Sequence, residues 1–356
     1  MIRVRAFRKE DIGAIVRLRA ECFRRSEHDD RVALGTYLAE VFFGNPWYDD
    51  DLPSLVAEDG RGRVLGFLGV VPRRMILGGR ALRVATTTQF MVAPTAPPPV
   101  ASRLLRTVFE GPQDFALADV ASLRARRLWE SLGGATATTL SLNWMRLLRP
   151  LQYLVSRAAS GPLGRVAALC ARPIDAVAGR LVAACGRPRV PAGGQCEAMS
   201  DTDVTVSLAT PLDGRLMRGD HDVASVAWLL EMMRRRRRYG PLRASRIVGA
   251  RDELLGWYLY HAGDGGSAHV VHLEARPRAA GIVLDHLFRR TWQHGCTAVT
   301  GRFDTRLVEA LAHRHGFVYG PDTWVLVHAR DRELLAIVTR DDAALTRLDG
   351  EWWMAF

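Results

Sequence analysis

The stretch S-A-H-V-V-H-L-E-A, residues 267–275, places His269, His272 and Glu274 in a run with strand character. Strand side chains repeat every two residues, so His272 and Glu274 share a face. An imidazole and a carboxylate side by side can accept or relay a proton; the plain alternative is a set of satisfied interior or edge polar groups. Directly after it, R-P-R-A-A-G-I-V carries Arg278, Ala279, Ala280, Gly281 and Ile282 into an apolar helical pattern. Unpaired amides at a helix start, together with the positive end of the helix dipole, hold anions. A second stretch of the same outline, V-A-P-T-A-P-P-P-V-A-S-R-L-L, runs from Val92 through Val100, Ala101 and Ser102. Its three consecutive prolines remove three N–H donors. Residues 279–282 are therefore the richer donor set, and the sequence places an anionic ligand there.

The elements around these stretches repeat. I-R-V-R-A-F reads as a short strand, followed by a helix in which Ile12, Ile15, Val16, Cys22 and Phe23 recur at helical spacing. Residues 54–94 read as three strands broken by E-D-G-R-G and L-G-G-R, the turn chemistry of antiparallel hairpins. Val100, Leu104, Leu105, Val108 and Phe109 then form one apolar helix stripe, and a strand (G-P-Q-D-F-A-L-A-D-V) and a helix closed by Gly133 and Gly134 follow. After residue 200 the same order returns, with a hairpin at A-R-D-E, the strand bearing His272, a helix, a strand, a helix, and T-W-V-L-V-H-A-R as closing strand. Matching order in two halves implies an internal duplication. The boundaries expected are 1–149 and 200–356, joined by a helical connector at 150–199. In that connector Ile174, Val177, Leu181 and Cys185 share a helix face that would pack between the domains, cover a greasy channel or touch a membrane surface.

The chain has 356 residues, a formal charge of +11 and 49 basic residues, of which Lys9 is the sole lysine. Arginine with abundant alanine, glycine and proline reads as coding bias, so nucleic acid is set aside as a partner. The run Arg234–Arg238 reads as a solvated helix C-terminus, where cations oppose the dipole; phosphates are its alternative partner. Trp352, Trp353 and Phe356 give an aromatic tail that docks on its own domain by default. Five cysteines without C-x-x-C spacing indicate neither a disulfide framework nor a metal site. An N-terminus charged every few residues and no long apolar run give a cytoplasmic expectation, with peripheral contact at the inner face of a membrane as its variant.

The stretches F-M-V-A-P-T-A-P-P-P-V-A-S-R-L-L and S-L-R-A-R-R-L-W-E-S-L-G-G, with the hairpins before them, resemble the GNAT (Gcn5-related) acyl-CoA N-acyltransferases. The second half resembles the same family through L-E-A-R-P-R-A-A-G-I-V and L-V-E-A-L-A-H-R-H-G-F. The resemblance spans roughly residues 1–146 and 200–330. It implies an α/β (α+β) protein of two tandem GNAT-like domains, each a mixed sheet flanked by helices. It also implies acyl-CoA or acetyl-CoA as co-substrate, no metal, and an amine acceptor, either a small molecule or a lipid or cell-envelope precursor. By the family pattern the amides at Arg278–Ile282, or at Val92 and Val100–Ser102, bind the pyrophosphate, while His272 or Glu274 takes the amine proton. The family's tyrosine acid falls on Trp129 in the first half and on Ala312 in the second, and neither can protonate a thiolate. That departure keeps open a non-catalytic relative that binds a ligand or a partner.

Overall fold

The computed structural model of the chain describes residues 2–23, 31–158, 187–212, 214–340 and 343–354. The first half contains β1 (Arg3–Ala6), α1 (Ile12–Cys22), α2 (Arg31–Phe43), β2 (Leu55–Glu58), β3 (Val64–Leu77), β4 (Arg80–Val92), α3 (Pro99–Phe109), β5 (Phe115–Ala121), α4 (Leu123–Ser131), β6 (Ala135–Thr136), α5 (Thr138–Ser141) and β7 (Asn143–Leu147). After α6 (Pro150–Ala158) come β8 (Gln195–Ala198), α7 (Asp201–Ala209), β9 (Met217–Gly219), α8 (Val223–Arg234), β10 (Leu242–Val248), β11 (Leu254–His261) and β12 (Ser267–Ala275). The chain continues through α9 (Ala280–Gln293), β13 (Ala298–Arg302), α10 (Val308–Ala312), β14 (Phe317–Tyr319), β15 (Trp324–Ala329) and α11 (Arg332–Thr339).

Two mixed sheets result, in the orders β1-β2-β3-β4-β5-β15-β6, with β9 paired to β3, and β8-β10-β11-β12-β13-β7-β14. Position by position they match. In each, an antiparallel meander leads to a parallel pair, β4 with β5 and β12 with β13, and then to antiparallel strands. The duplication therefore holds at the level of strand order, with one correction. Trp324–Ala329, read from the sequence as the closing strand of the second half, lies in the first sheet between β5 and β6. Its counterpart β7, from the first half, lies in the second sheet between β13 and β14. Each half thus lends the other a strand.

Local chemistry accounts for the elements that frame the centre of the molecule. β3 and β4 join through a two-residue turn in which Gly78 and Gly79 have φ of +55° and +90°, backbone that glycine adopts without a Cβ penalty. Helix α3 begins with Pro99 at its first position, where the missing N–H would have had no intrahelical partner anyway. Its stripe of Val100, Leu104, Leu105, Val108 and Phe109 is wholly buried against the first sheet. A further core draws on both halves, from Phe42 and Phe67 to Leu229, Trp257 and Val271, and takes in Trp353 and Met354 from the C-terminal segment. That segment, residues 343–354, runs between the sheets.

Candidate active site

In both halves the parallel pair separates. β4 and β5 pair over Val84–Thr86 and Phe115–Leu117, although β4 continues to Val92 and β5 to Ala121. A bulge at Gln89 and Phe90, with φ +50° at Gln89, bends β4 where the strands diverge. β12 and β13 pair over Ser267–His269 and Ala298–Thr300 and then part in the same way, with a bulge at Val271. Two wedge-shaped gaps follow, and each has a helix N-terminus beyond the end of its first strand.

At the second of these, Arg278 has φ +73° and Ala279 caps α9 without a side-chain hydrogen bond. The Ala279 amide is already spent on the Arg276 carbonyl at 2.9 Å, while those of Ala280, Gly281 and Ile282 have no acceptor among the described residues. A Cβ on Gly281 would stand 2.6 Å from the Arg314 guanidinium, which is held by Asp285 through two bonds of 2.8 and 2.7 Å. At the first N-terminus Val100 donates to Pro97 at 3.2 Å, and Ala101 and Ser102 are without acceptors among the described residues. Val92 closes β4, and six residues separate it from α3. The difference in donors between the two ends is thus a single amide.

The C-terminal segment reaches into both wedges, by different means. In the second, the backbone of the segment enters: the Arg347 amide donates to the Val271 carbonyl at 3.1 Å, and the Arg302 guanidinium at the end of β13 donates to the carbonyls of Leu345 and Thr346 at 3.3 and 3.2 Å. In the first, a side chain enters: a Glu351 carboxylate oxygen accepts the Val120 amide of β5 at 3.2 Å, and Thr88 of β4 bonds the same carboxyl. Asp119 accepts the Glu351 amide at 2.5 Å and pairs with Arg302 at 2.6 Å. A Cβ on Gly350 would lie 2.1 Å from the Asp119 carboxyl, so this approach requires glycine. Burial, and then the neighbouring Asp119 charge, push the Glu351 carboxyl well above the usual carboxylate range. Asp349, by contrast, is held down at about 2: burial works against it, but the His221 hydrogen bond and charge prevail.

His272 and Glu274 are brought together as the strand period implies. The His272 ring stacks on Trp257 at 4.4 Å between centroids, and the Trp257 indole N–H donates to Glu274 at 3.1 Å. The other Glu274 oxygen accepts the Leu212 amide at 2.5 Å. Both residues line a cavity of about 40 Å³ with His221 and Asp349, room for a few water molecules. His269 is elsewhere, its ring tilted against Tyr239 at 4.6 Å between centroids, and burial first, then Arg347, lower its pKa to about 3. Trp129 is a core residue, edge-on to Phe109 at 4.9 Å and 2% exposed.

The arginine run is largely committed within the protein. Arg234 pairs with Asp201, Arg235 with Glu40 and Glu231, and Arg236 donates to the Trp352 carbonyl. The aromatic tail docks through Trp352 on Tyr239 and Trp353 on Trp228; Phe356 lies outside the described residues, as do Ile174, Val177, Leu181 and Cys185 of the connector. Sequence reading missed Asp119, Arg302 and Glu351. The one local signal was a carboxylate inside the otherwise apolar strand F-A-L-A-D-V-A, 0% exposed in its side chain, since a buried charge calls for a partner. Among the described residues no group of His, Cys, Asp or Glu is arranged to hold a metal ion, and no helix is long and apolar enough to cross a membrane.

No family model and no curated protein sequence matches the chain. Solved structures do. A conserved protein of Enterococcus faecalis V583, described as a probable N-acyltransferase, is 9% identical and superposes with a TM-score of 0.59 over 92% of this chain and 73% of its own. A GCN5-related N-acetyltransferase from Anabaena variabilis is 14% identical, with a TM-score of 0.58 over 92% and 72%. Saccharomyces cerevisiae N-myristoyltransferase, solved with bound myristoyl-CoA, is 8% identical, with a TM-score of 0.51 over 92% and 79%. At these identities the likeness is one of fold, and with the strand orders matched across two sheets the chain has the GNAT fold, built twice in tandem.

Proposed function

We propose that the protein is an acyl-CoA-dependent N-acyltransferase whose thioester binds in the first-half wedge. The observation carrying this is the contrast between the wedges. In the second the backbone of residues 345–347 enters, its Arg347 amide bonded to Val271 and its Leu345 and Thr346 carbonyls held by the Arg302 guanidinium, whereas in the first it is the Glu351 side chain that enters, bonded to Val120. A thioester arm can displace a side chain far more readily than a bonded strand. This reading moves the cofactor from residues 278–282, which the donor count favoured, to the α3 end, where Ala101 and Ser102 point their amides at the pyrophosphate. The donor advantage of the other end is one amide, worth about 1.5–3 kcal/mol for a charge-assisted bond.

In this mechanism the bulge at Gln89 and Phe90 offers a main-chain amide to the oxyanion formed when the amine attacks the thioester carbonyl. Glu351, released from Val120, accepts the proton of the attacking amine as a carboxylate; the oxyanion then collapses, the C–S bond breaks, and coenzyme A departs as its thiolate to be protonated by solvent. His272 and Glu274 then hold Trp257 and the loop at Leu212. The acceptor is an amine, and a lipid-borne or envelope-precursor amine is the version favoured by the apolar composition of 150–199. The solved likeness to an enzyme with bound myristoyl-CoA sets the range of donors to try. Isothermal titration with acetyl-, octanoyl- and palmitoyl-CoA tests the reading and ranks chain length together.

A second reading has its own support: with both wedges occupied by the chain's own C-terminal segment, the protein would be a GNAT-fold ligand- or partner-binding protein without turnover. Failure of every acyl-CoA to bind would favour it.

A further inference from the structure

We propose that Arg73 recognises a carboxylate on the acceptor, so that the amine acylated is one of amino-acid type; this rests on the N-acyltransferase reading above and narrows its acceptor. Arg73 lies on β3 opposite Val84, and Thr86 on β4 lies opposite Val71, so the two side chains share a face of the first sheet. Thr86 is also the last residue of β4 paired with β5, the point where the first wedge opens. Arg73 is 3% exposed. One end of its guanidinium donates to the Leu348 carbonyl at 2.6 Å, while Nη1 is buried without a hydrogen-bond partner among the described residues. The Thr86 hydroxyl is in the same condition. The guanidinium carbon stands 4.0 Å from the Trp47 ring centroid and 5.7 Å from that of Trp353, with Trp228 edge-on to both rings. The indole N–H groups of Trp228 and Trp353 are buried and have no acceptor among the described residues either.

Around one buried cation, then, three N–H groups and a hydroxyl lack an acceptor. The carboxylates whose charge Arg73 feels are engaged elsewhere, Asp349 facing His221 and Asp119 paired with Arg302. Burial lowers the guanidinium pKa to about 10, which leaves it charged at neutral pH. A buried charge without a counter-ion is destabilising, and an arriving anionic group offsets that cost. A carboxylate suits the place: one oxygen takes the guanidinium and the other a hydroxyl or indole N–H. Leu348 and Trp353, which cover Arg73, belong to the same segment as Glu351. The shift that frees Glu351 from Val120 therefore uncovers the cation as well. Thr88, two residues on from Thr86, bonds the Glu351 carboxyl, so the carboxylate anchor and the base lie along one strand.

The test is isothermal titration of the full chain with matched amines that differ by a carboxylate, phenylalanine against phenethylamine and leucine against isopentylamine. In each pair the acid should bind about ten-fold tighter, the scale of one charge-assisted bond. Arg73→Met should abolish the difference. Thr86→Val and Trp228→Phe, which keep shape and ring but lose the polar hydrogen, should each reduce it roughly three-fold, and they carry the test if R73M does not fold. Equal or weaker binding of the acid in both pairs, no binding of either acid, or a preference unchanged in R73M, or in both T86V and W228F, would overturn the assignment. Acyl-CoA titration of the same chain keeps the two readings apart. Acyl-CoA binding without a carboxylate preference leaves the acyltransferase reading and removes Arg73 from it; a carboxylate preference lost in R73M, without acyl-CoA binding, leaves the anion site and removes the acyltransferase.

Discussion

Asp119 and Arg302 hold the same place in the two halves, each four residues past the first parallel pairing of its strand, and they meet in an ion pair of 2.6 Å. With side chains 0% and 11% exposed, they join β5 of the first sheet to β13 of the second. Both also hold the C-terminal segment, Asp119 through the Glu351 amide and Arg302 through two carbonyls.

Removing one member of a buried pair leaves the other charge without its counter-ion, at about 3–5 kcal/mol. D119N and R302M should each cost that much in urea unfolding. D119N/R302M should cost clearly less than the sum, because the stranded charge is gone as well.

Glu351 sets a pH dependence opposite in sign to that of most carboxylates. A carboxyl raised in the folded state binds its proton more tightly than in the unfolded chain. Its contribution is complete below the unfolded value of 4.5 and declines as pH rises towards the elevated folded value. E351Q, which mimics the protonated form, should therefore gain in Tm relative to the parent chain between pH 5 and 8. A difference that stays flat over this range would contradict the buried placement of the carboxyl beside Asp119.

Trp129 fills the core against Phe109, so W129Y should not supply a working acid. Thermal and urea unfolding should show a loss of about 1–3 kcal/mol, the usual scale for a core shape change, with no gain in acyl transfer. A rise in turnover would mean that this side chain reaches the wedge.

The sequence carried the elements and their order because that information is local. Turn pairs such as Gly78-Gly79, the α3 stripe and the alternation around His272 all report on a few neighbouring residues. The exchange of β7 and β15 is not local. β15 is buried through Val325, Leu326 and Val327, and three apolar residues in a row suit a central position in either sheet equally well. The wedges show the same limit at the site. Helix-start donors could be counted from prolines, but the filling of the gaps depends on residues 345–351, more than 200 positions from Asp119 and Val120. No spacing rule connects such positions. The aromatic tail was legible as a docking element, and the carboxyl group it carries into the first wedge was not.

The measurement closest to the central claim is acyl-CoA binding in two variants, one at each helix start. Titration followed by thermal shift should give a saturable rise with at least one member of the acetyl- to palmitoyl-CoA series, about 2.7 kcal/mol at a hundred-fold excess over Kd. A101D places a carboxylate at the α3 amides and should lower affinity at least ten-fold. G281D places one against the Arg314 guanidinium, away from the α3 amides, and should leave affinity within about two-fold. Loss of binding in G281D with A101D unaffected would put the cofactor in the second half, and no binding by the parent chain across the series would remove acyl-CoA from the account altogether.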